Sequence, residues 1–256
     1  MNLVVRISRV LEELVYRLVA TRRGFRGAVG DARWATHKAQ QEIEKGHWSD
    51  AIIGGRLAVA SDPSYPDGYL MLGFAYARSG QPEEARKAYE EGARVAPHDA
   101  RLASYLGELE FALHRWSEAE ASLRRAVELD PAQAPWRLSL AIALRMQDRF
   151  EEATALLDGL LQVPTLKARA LGALGEIRLD TGDVAGAEEL LTAAVTTDPA
   201  LAIAHHDLAR LLALTGRWNE ALREARQAMS LKPEDEEFAA LLRHIEERLA
   251  ESDGPG

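Results

Sequence analysis

An alanine returns every 34 residues along this chain, at Ala51, Ala85, Ala119, Ala153, Ala187 and Ala221. Twelve positions before each stands a second small residue: Ala39, Gly73, Gly107, Ala141, Gly175 and Ala209. Leucine precedes five of those six, as Leu72, Leu106, Leu140, Leu174 and Leu208. A bulky residue comes three positions before the alanine in most units (Trp48, Trp116, Phe150, Val184, Trp218), with Pro82 the exception. Small residues held in phase mean that two helices press together where a larger side chain would hold them apart. Proline closes the units at Pro63, Pro97, Pro131, Pro199 and Pro233, and one residue early at Pro164. It lacks an N–H and disfavours helix in the residue before it, so it ends the second helix of each unit. The alanine- and leucine-rich windows of about 14 residues between these breaks read as helices. A fixed period of this length describes a supersecondary unit that buries its apolar face only against its neighbours.

Composition narrows the functional classes. The 256 residues exceed the usual size of one compact domain, about 150. No cysteine is present, which removes disulfides, thiolate metal sites and cysteine nucleophiles. A net charge of −9 and an aromatic share of 6% argue against nucleic-acid binding, by duplex or single strand. The charge is uneven. Residues 1–27 carry +4, from six arginines against Glu12 and Glu13, and leave −13 on the remainder.

The phased residues resemble the tetratricopeptide repeat family over roughly 32–233. The third unit, ARLASYLGELEFALHRWSEAEASLRRAVELDPAQ, follows the family pattern nearly throughout. The resemblance implies an all-α, right-handed solenoid of six helix-turn-helix repeats at 32–65, 66–99, 100–133, 134–167, 168–201 and 202–233. Unit one departs most, with Lys38 and Glu42 where apolar residues are expected and Gly55 in place of an aromatic. An amphipathic stretch at 234–250, with Phe238, Leu241, Leu242, Ile245 and Leu249 on one face, reads as a capping helix. Residues 251–256 read as a tail and 1–31 as a basic amphipathic helix and link.

What the resemblance implies for function is a protein-binding scaffold or adaptor, not an enzyme, with no cofactor or metal. Its partner would be an amphipathic helix or apolar peptide held on the concave face of the first helices. By family phase, that face carries Leu70, Met71 and Phe74, then Arg101, Tyr105, Glu108 and Phe111, then Leu138, Ile142, Arg145 and Met146. Two readings of these residues stay open. Either they form a groove for a partner with some acidic residues, or tight curvature buries them as ordinary core. The polar phases of units five and six, including Glu176, Asp207 and Arg210, read as a charged flank for the partner or as solvated surface. Family members that clamp a carboxylate use asparagine at groove phases. Asparagine occurs here only at 2 and 219, off those phases, so that reading does not apply.

Other constellations are weak. His205, His206 and Asp207 are adjacent, and neighbours on a helix point about 100° apart, so they converge poorly on one ion. Glu83–Glu84 and Glu151–Glu152 open second helices, where negative charge complements the dipole. Residues 3–26 combine an apolar face (Leu3, Ile7, Leu11, Leu14, Leu18) with arginines that continue to Arg22, Arg23 and Arg26. Charges interrupt every turn, so the segment is no membrane span, which needs about 20 apolar residues. It reads as a cap on unit one, as a helix lying on an anionic membrane surface, or as an interaction element for a partner or a second copy. A cytoplasmic location is expected, with membrane association through residues 3–26 as the alternative.

Overall fold

The computed structural model describes residues 31–253. The N-terminal interaction residues Leu3, Ile7, Leu11, Leu14, Leu18, Arg22, Arg23 and Arg26 lie outside the described residues. Thirteen α-helices and no strand are found among the described residues, in the helix-turn-helix pairs of an all-α solenoid. The pairs are α1 (Ala32–Glu44) with α2 (Trp48–Ser61), α3 (Pro66–Arg78) with α4 (Pro82–Val95), and α5 (Ala100–Ala112) with α6 (Trp116–Leu129). They continue as α7 (Ala134–Arg145) with α8 (Phe150–Leu160), α9 (Lys167–Asp180) with α10 (Val184–Thr197), and α11 (Ala202–Leu214) with α12 (Trp218–Leu231). A last helix, α13, runs Glu236–Asp253.

Local chemistry starts and stops these helices. Asp31, Asp99 and Asp183 accept from the backbone N–H of Trp34, Arg101 and Gly186, respectively. Pro66 and Pro82 take first-turn positions, where no N–H is needed. Every turn inside a pair closes alike, with an N–H reaching the carbonyl five residues back, as from Gln81 to Tyr76 (2.9 Å) and from Arg217 to Leu212 (2.9 Å). The residue before each such N–H has positive φ: Gly46, Gly80, His114, Asp148, Gly182 and Gly216.

The phased small residues do what their period implies. All six phased alanines from Ala51 to Ala221 are fully buried. Gly73 leaves the space that the ring of Tyr89 fills, and Gly175 the space of Leu191. The chain divides into two compact units, Met1–Trp136 and Arg137–Gly256. In the first, Tyr69, Leu70, Leu72, Tyr76, Tyr89 and Leu102 form the core around α3, α4 and α5. In the second, Leu191, Leu208, Leu211, Leu212 and Ile245 form a core that α13 covers, with Leu241, Leu242 and Leu249 packed on it. The opposite face of α13 exposes Glu236, Glu237, Arg243, Glu246 and Glu247.

The polar start of the chain's repeats has its own solution. Glu42 is buried on α1, and Lys38 and Lys45 both stand 3.0 Å from its Oε1, with His47 Nδ1 3.0 Å from Oε2. Hydrogen bonds from Lys45 and then Lys38 hold this carboxyl down to about 2. Charge pairing thus replaces the apolar contact that unit one lacks.

Candidate interaction face

In the unit Met1–Trp136 the first helices α3 and α5 lie side by side, and residues one repeat apart meet. Phe74 of α3 sets its edge against the ring of Tyr105 of α5, at 6.4 Å between centroids. Tyr105 stacks in turn on Tyr89 of α4 at 5.8 Å, yet keeps 39% of its surface exposed. Met71 and Phe74 are half-buried, one turn apart on α3. These three residues make an apolar, water-accessible face one helix pair wide.

The other residues expected on this face are used differently. Leu70 is buried in the core of α3, α4 and α5 and offers no surface. Its phase points between the helices, where neighbouring repeats close over it. Phe111 packs edge-on against Trp116 at 5.0 Å, so it serves the turn between α5 and α6. Arg101 is exposed but committed: its guanidinium meets Asp67 at 2.7 Å and Asp99 at 2.6 Å. Glu108, one turn beyond Tyr105 on α5, is placed on this face by its phase, but phase gives it no partner and no role. It has no hydrogen-bond or ion-pair partner among the described residues. Its side chain is exposed, and the partial loss of water on the side facing the protein pushes its carboxyl up from the ordinary value.

In the unit Arg137–Gly256 the same phases are dominated by charge. Leu138 is buried and, like Leu70, supplies core instead of surface. Ile142 is half-buried and Met146 is 42% exposed. Arg145 binds Glu176 at 2.9 Å and Asp180 at 2.6 Å, and Arg210 also donates to Glu176. Glu176 is buried, so this polar stretch is an ion-pair network in which a carboxylate is enclosed, not simply solvated surface. Burial, and then the charge of Asp207, push the Glu176 carboxyl up despite its two arginines.

The histidines go separate ways. His205 reaches Glu224 at 2.7 Å through Nδ1 and the Pro199 carbonyl at 3.1 Å through Nε2, tying α11 to its neighbours. His206 stacks on Phe238 at 4.7 Å. Among the described residues, the group with metal-ligand types within reach is Glu42, His47 and Asp50. The ammonium groups of Lys38 and Lys45 already occupy the Glu42 carboxylate, so these residues do not fit a cation. No helix among the described residues is long and apolar enough to cross a membrane.

Family models described as tetratricopeptide repeat match residues 70–134, 110–177 and 178–245. The chain belongs to the tetratricopeptide repeat family. Such repeats generally mediate protein–protein interaction and are generally non-catalytic scaffolds. Among curated proteins, cellulose synthase operon protein C of Pseudomonas fluorescens (strain SBW25) is 32% identical over 130 residues, covering 47% of this chain and 10% of that protein. This chain therefore spans about a tenth of that relative's length. Among solved structures, a tetratricopeptide repeat protein from Parabacteroides merdae superposes with a TM-score of 0.71 at 16% identity, covering 84% of each chain. YrrB, described as a tetratricopeptide repeat protein with an unusual peptide-binding site, gives 0.52 at 16% identity, covering 75% of this chain and 97% of its own. Identities this low speak to the fold.

Proposed function

We propose that this chain is a non-enzymatic scaffold or adaptor that binds an apolar or amphipathic segment of a partner protein on the face of its first helices. The supporting observation is the aromatic pair Phe74 and Tyr105 in the unit Met1–Trp136, open to water beside Met71. A large aromatic held rigid by stacking and still exposed presents contact area at little entropic cost. Exposed apolar patches on repeat proteins mark interaction sites. The test is affinity capture from native lysate with mass spectrometry, comparing wild type with Tyr105→Glu and with Phe74→Glu/Tyr105→Glu. A client lost from both variants, with helicity and melting retained, supports the reading. An unchanged partner list overturns it. The single Tyr105 variant guards against unfolding, because Phe74 is half-buried.

The basic amphipathic segment 3–26 supports a second role, attachment to an anionic membrane surface or self-association. Flotation with anionic vesicles that is unaltered by deleting residues 1–27 would sink the membrane part of it.

A further inference from the structure

The repeat supplies an internal comparison for Glu108. Glu176 stands at the same phase two repeats later, 68 residues on. Arg145, 31 residues before Glu176, and Arg210, 34 residues after it, both pair with that carboxylate. Within the unit Met1–Trp136, the position corresponding to Arg145 is Ala77, 31 residues before Glu108, which carries no charge, and no cation among the described residues pairs with Glu108. A carboxylate at this phase thus receives two cations from its own chain in one repeat and none in the other.

What surrounds Glu108 is aromatic. Tyr105 lies one turn before it on α5, and Tyr89, on which Tyr105 stacks, is close enough that the Glu108 charge adds to burial in raising the Tyr89 hydroxyl. The Glu108 carboxylate is exposed beside the aromatic pair and has no counter-charge among the described residues, so it is free to receive an arriving cation. The exposed ring of Tyr105 offers the same cation a π-face. The arginines that would favour an acidic partner are elsewhere. Arg101 is neutralised by Asp67 and Asp99, and Arg33 stands in the first turn of α1, two repeats before Glu108.

We propose that the Phe74–Tyr105–Glu108 face selects a protein segment carrying an arginine or lysine beside an apolar anchor, Glu108 receiving the cation while Phe74 and Tyr105 hold the anchor. This rests on the first-helix face being the binding surface, and it reverses the partner charge that the phased arginines imply.

The test uses a phage-displayed library of random 16-residue peptides, selected in parallel on full-length wild type, Glu108→Gln and Phe74→Glu/Tyr105→Glu. Wild type is expected to enrich peptides with a cationic residue next to an apolar one. The best such peptide should bind Glu108→Gln at least about tenfold more weakly, as for a charge-assisted contact. Replacing its cationic residue by glutamine should matter in wild type and not in Glu108→Gln, a coupling that a merely structural role would not produce. Glu108→Gln folds as wild type does, since no contact is broken. If Glu108→Gln enriches the same cationic peptides with equal affinity, the charge assignment fails while the face stands, provided that Phe74→Glu/Tyr105→Glu retains none. Acidic enrichment on wild type overturns the charge assignment as well. Peptides that bind all three proteins equally, or none retained by wild type, overturn the face and this proposal together.

Discussion

Leu123 occupies the space in which a side chain at Gly107 would have to stand. A Cβ at position 107 would lie 2.6 Å from Leu123 Cγ and 3.1 Å from its backbone N, so α5 and α6 meet at backbone distance. Gly107→Ala gains helix propensity, up to about 1 kcal/mol, but forces Leu123 and the α6 backbone away. Overpacking of this kind costs about 1–3 kcal/mol, and we expect the clash to win, lowering the melting temperature. Gly159→Ala is the control: the site is exposed within α8 and nothing lies within 4 Å of the added carbon, so propensity alone acts and melting rises. Thermal melts of both variants by circular dichroism check the pair of signs.

Glu42 makes the first repeat acid-sensitive. Its carboxyl sits well below the ordinary 4.5, at about 2, because Lys45 and Lys38 donate to the ionised form. A lowered folded-state value contributes stability above the unfolded value and loses it as pH falls through the folded one. The contribution should therefore be full above about pH 5 and vanish between about 4.5 and about 2. Both lysines reach water, so screening reduces it to about 1–2 kcal/mol. Glu42→Gln is expected to melt lower than wild type at pH 7 and to converge with it near pH 2. A difference that stays constant across that range would show that the pairing is not what stabilises α1.

The architecture was legible because it rests on what a period can record. Ala51 through Ala221 and Gly73, Gly107 and Gly175 report helix crossings, and crossings recur in every repeat whatever else changes. The interaction face was less legible, since phase gives the direction of a side chain but not what lies opposite it. Leu70 and Leu138 share a phase and are both buried, because neighbouring repeats close over that position. Arg101 and Arg145 looked available until their acids were placed, although Asp67 stands one repeat before Arg101 and the pairing could have been sought there. The turn glycines at 46, 80, 182 and 216 carry the same period, which His114 and Asp148 conceal by adopting positive φ without being glycine. Glu108 was legible as a residue of this face, but not that its carboxylate has no hydrogen-bond or ion-pair partner among the described residues, because phase does not record pairing.

The network around Glu176 behaves differently from that around Glu42, and acid distinguishes them. Arg145 is largely enclosed between Glu176 and Asp180, with Asp207 and then His206 behind. Arg145→Met leaves Glu176, Asp180 and Asp207 crowded with only Arg210 to offset them. Removing one partner of an enclosed pair strands the other, at a cost of about 3–5 kcal/mol when burial is complete, and about 2–3 kcal/mol is expected here because water reaches Asp180 and Arg210. The Glu176 carboxyl is already raised by burial, and losing Arg145 raises it further. For a group raised in the folded state, stability is full below the unfolded value and is lost as pH rises through the folded one. Acidification should therefore narrow the deficit of Arg145→Met, as Glu176 takes up its proton and the crowding is relieved. Melting temperatures of wild type and variant at pH 7 and pH 5 test this, and Glu176→Gln in the Arg145→Met background should restore part of the loss at pH 7. A deficit that widens on acidification would mean that Arg145 stabilises this unit through packing of its stem and not through its charge.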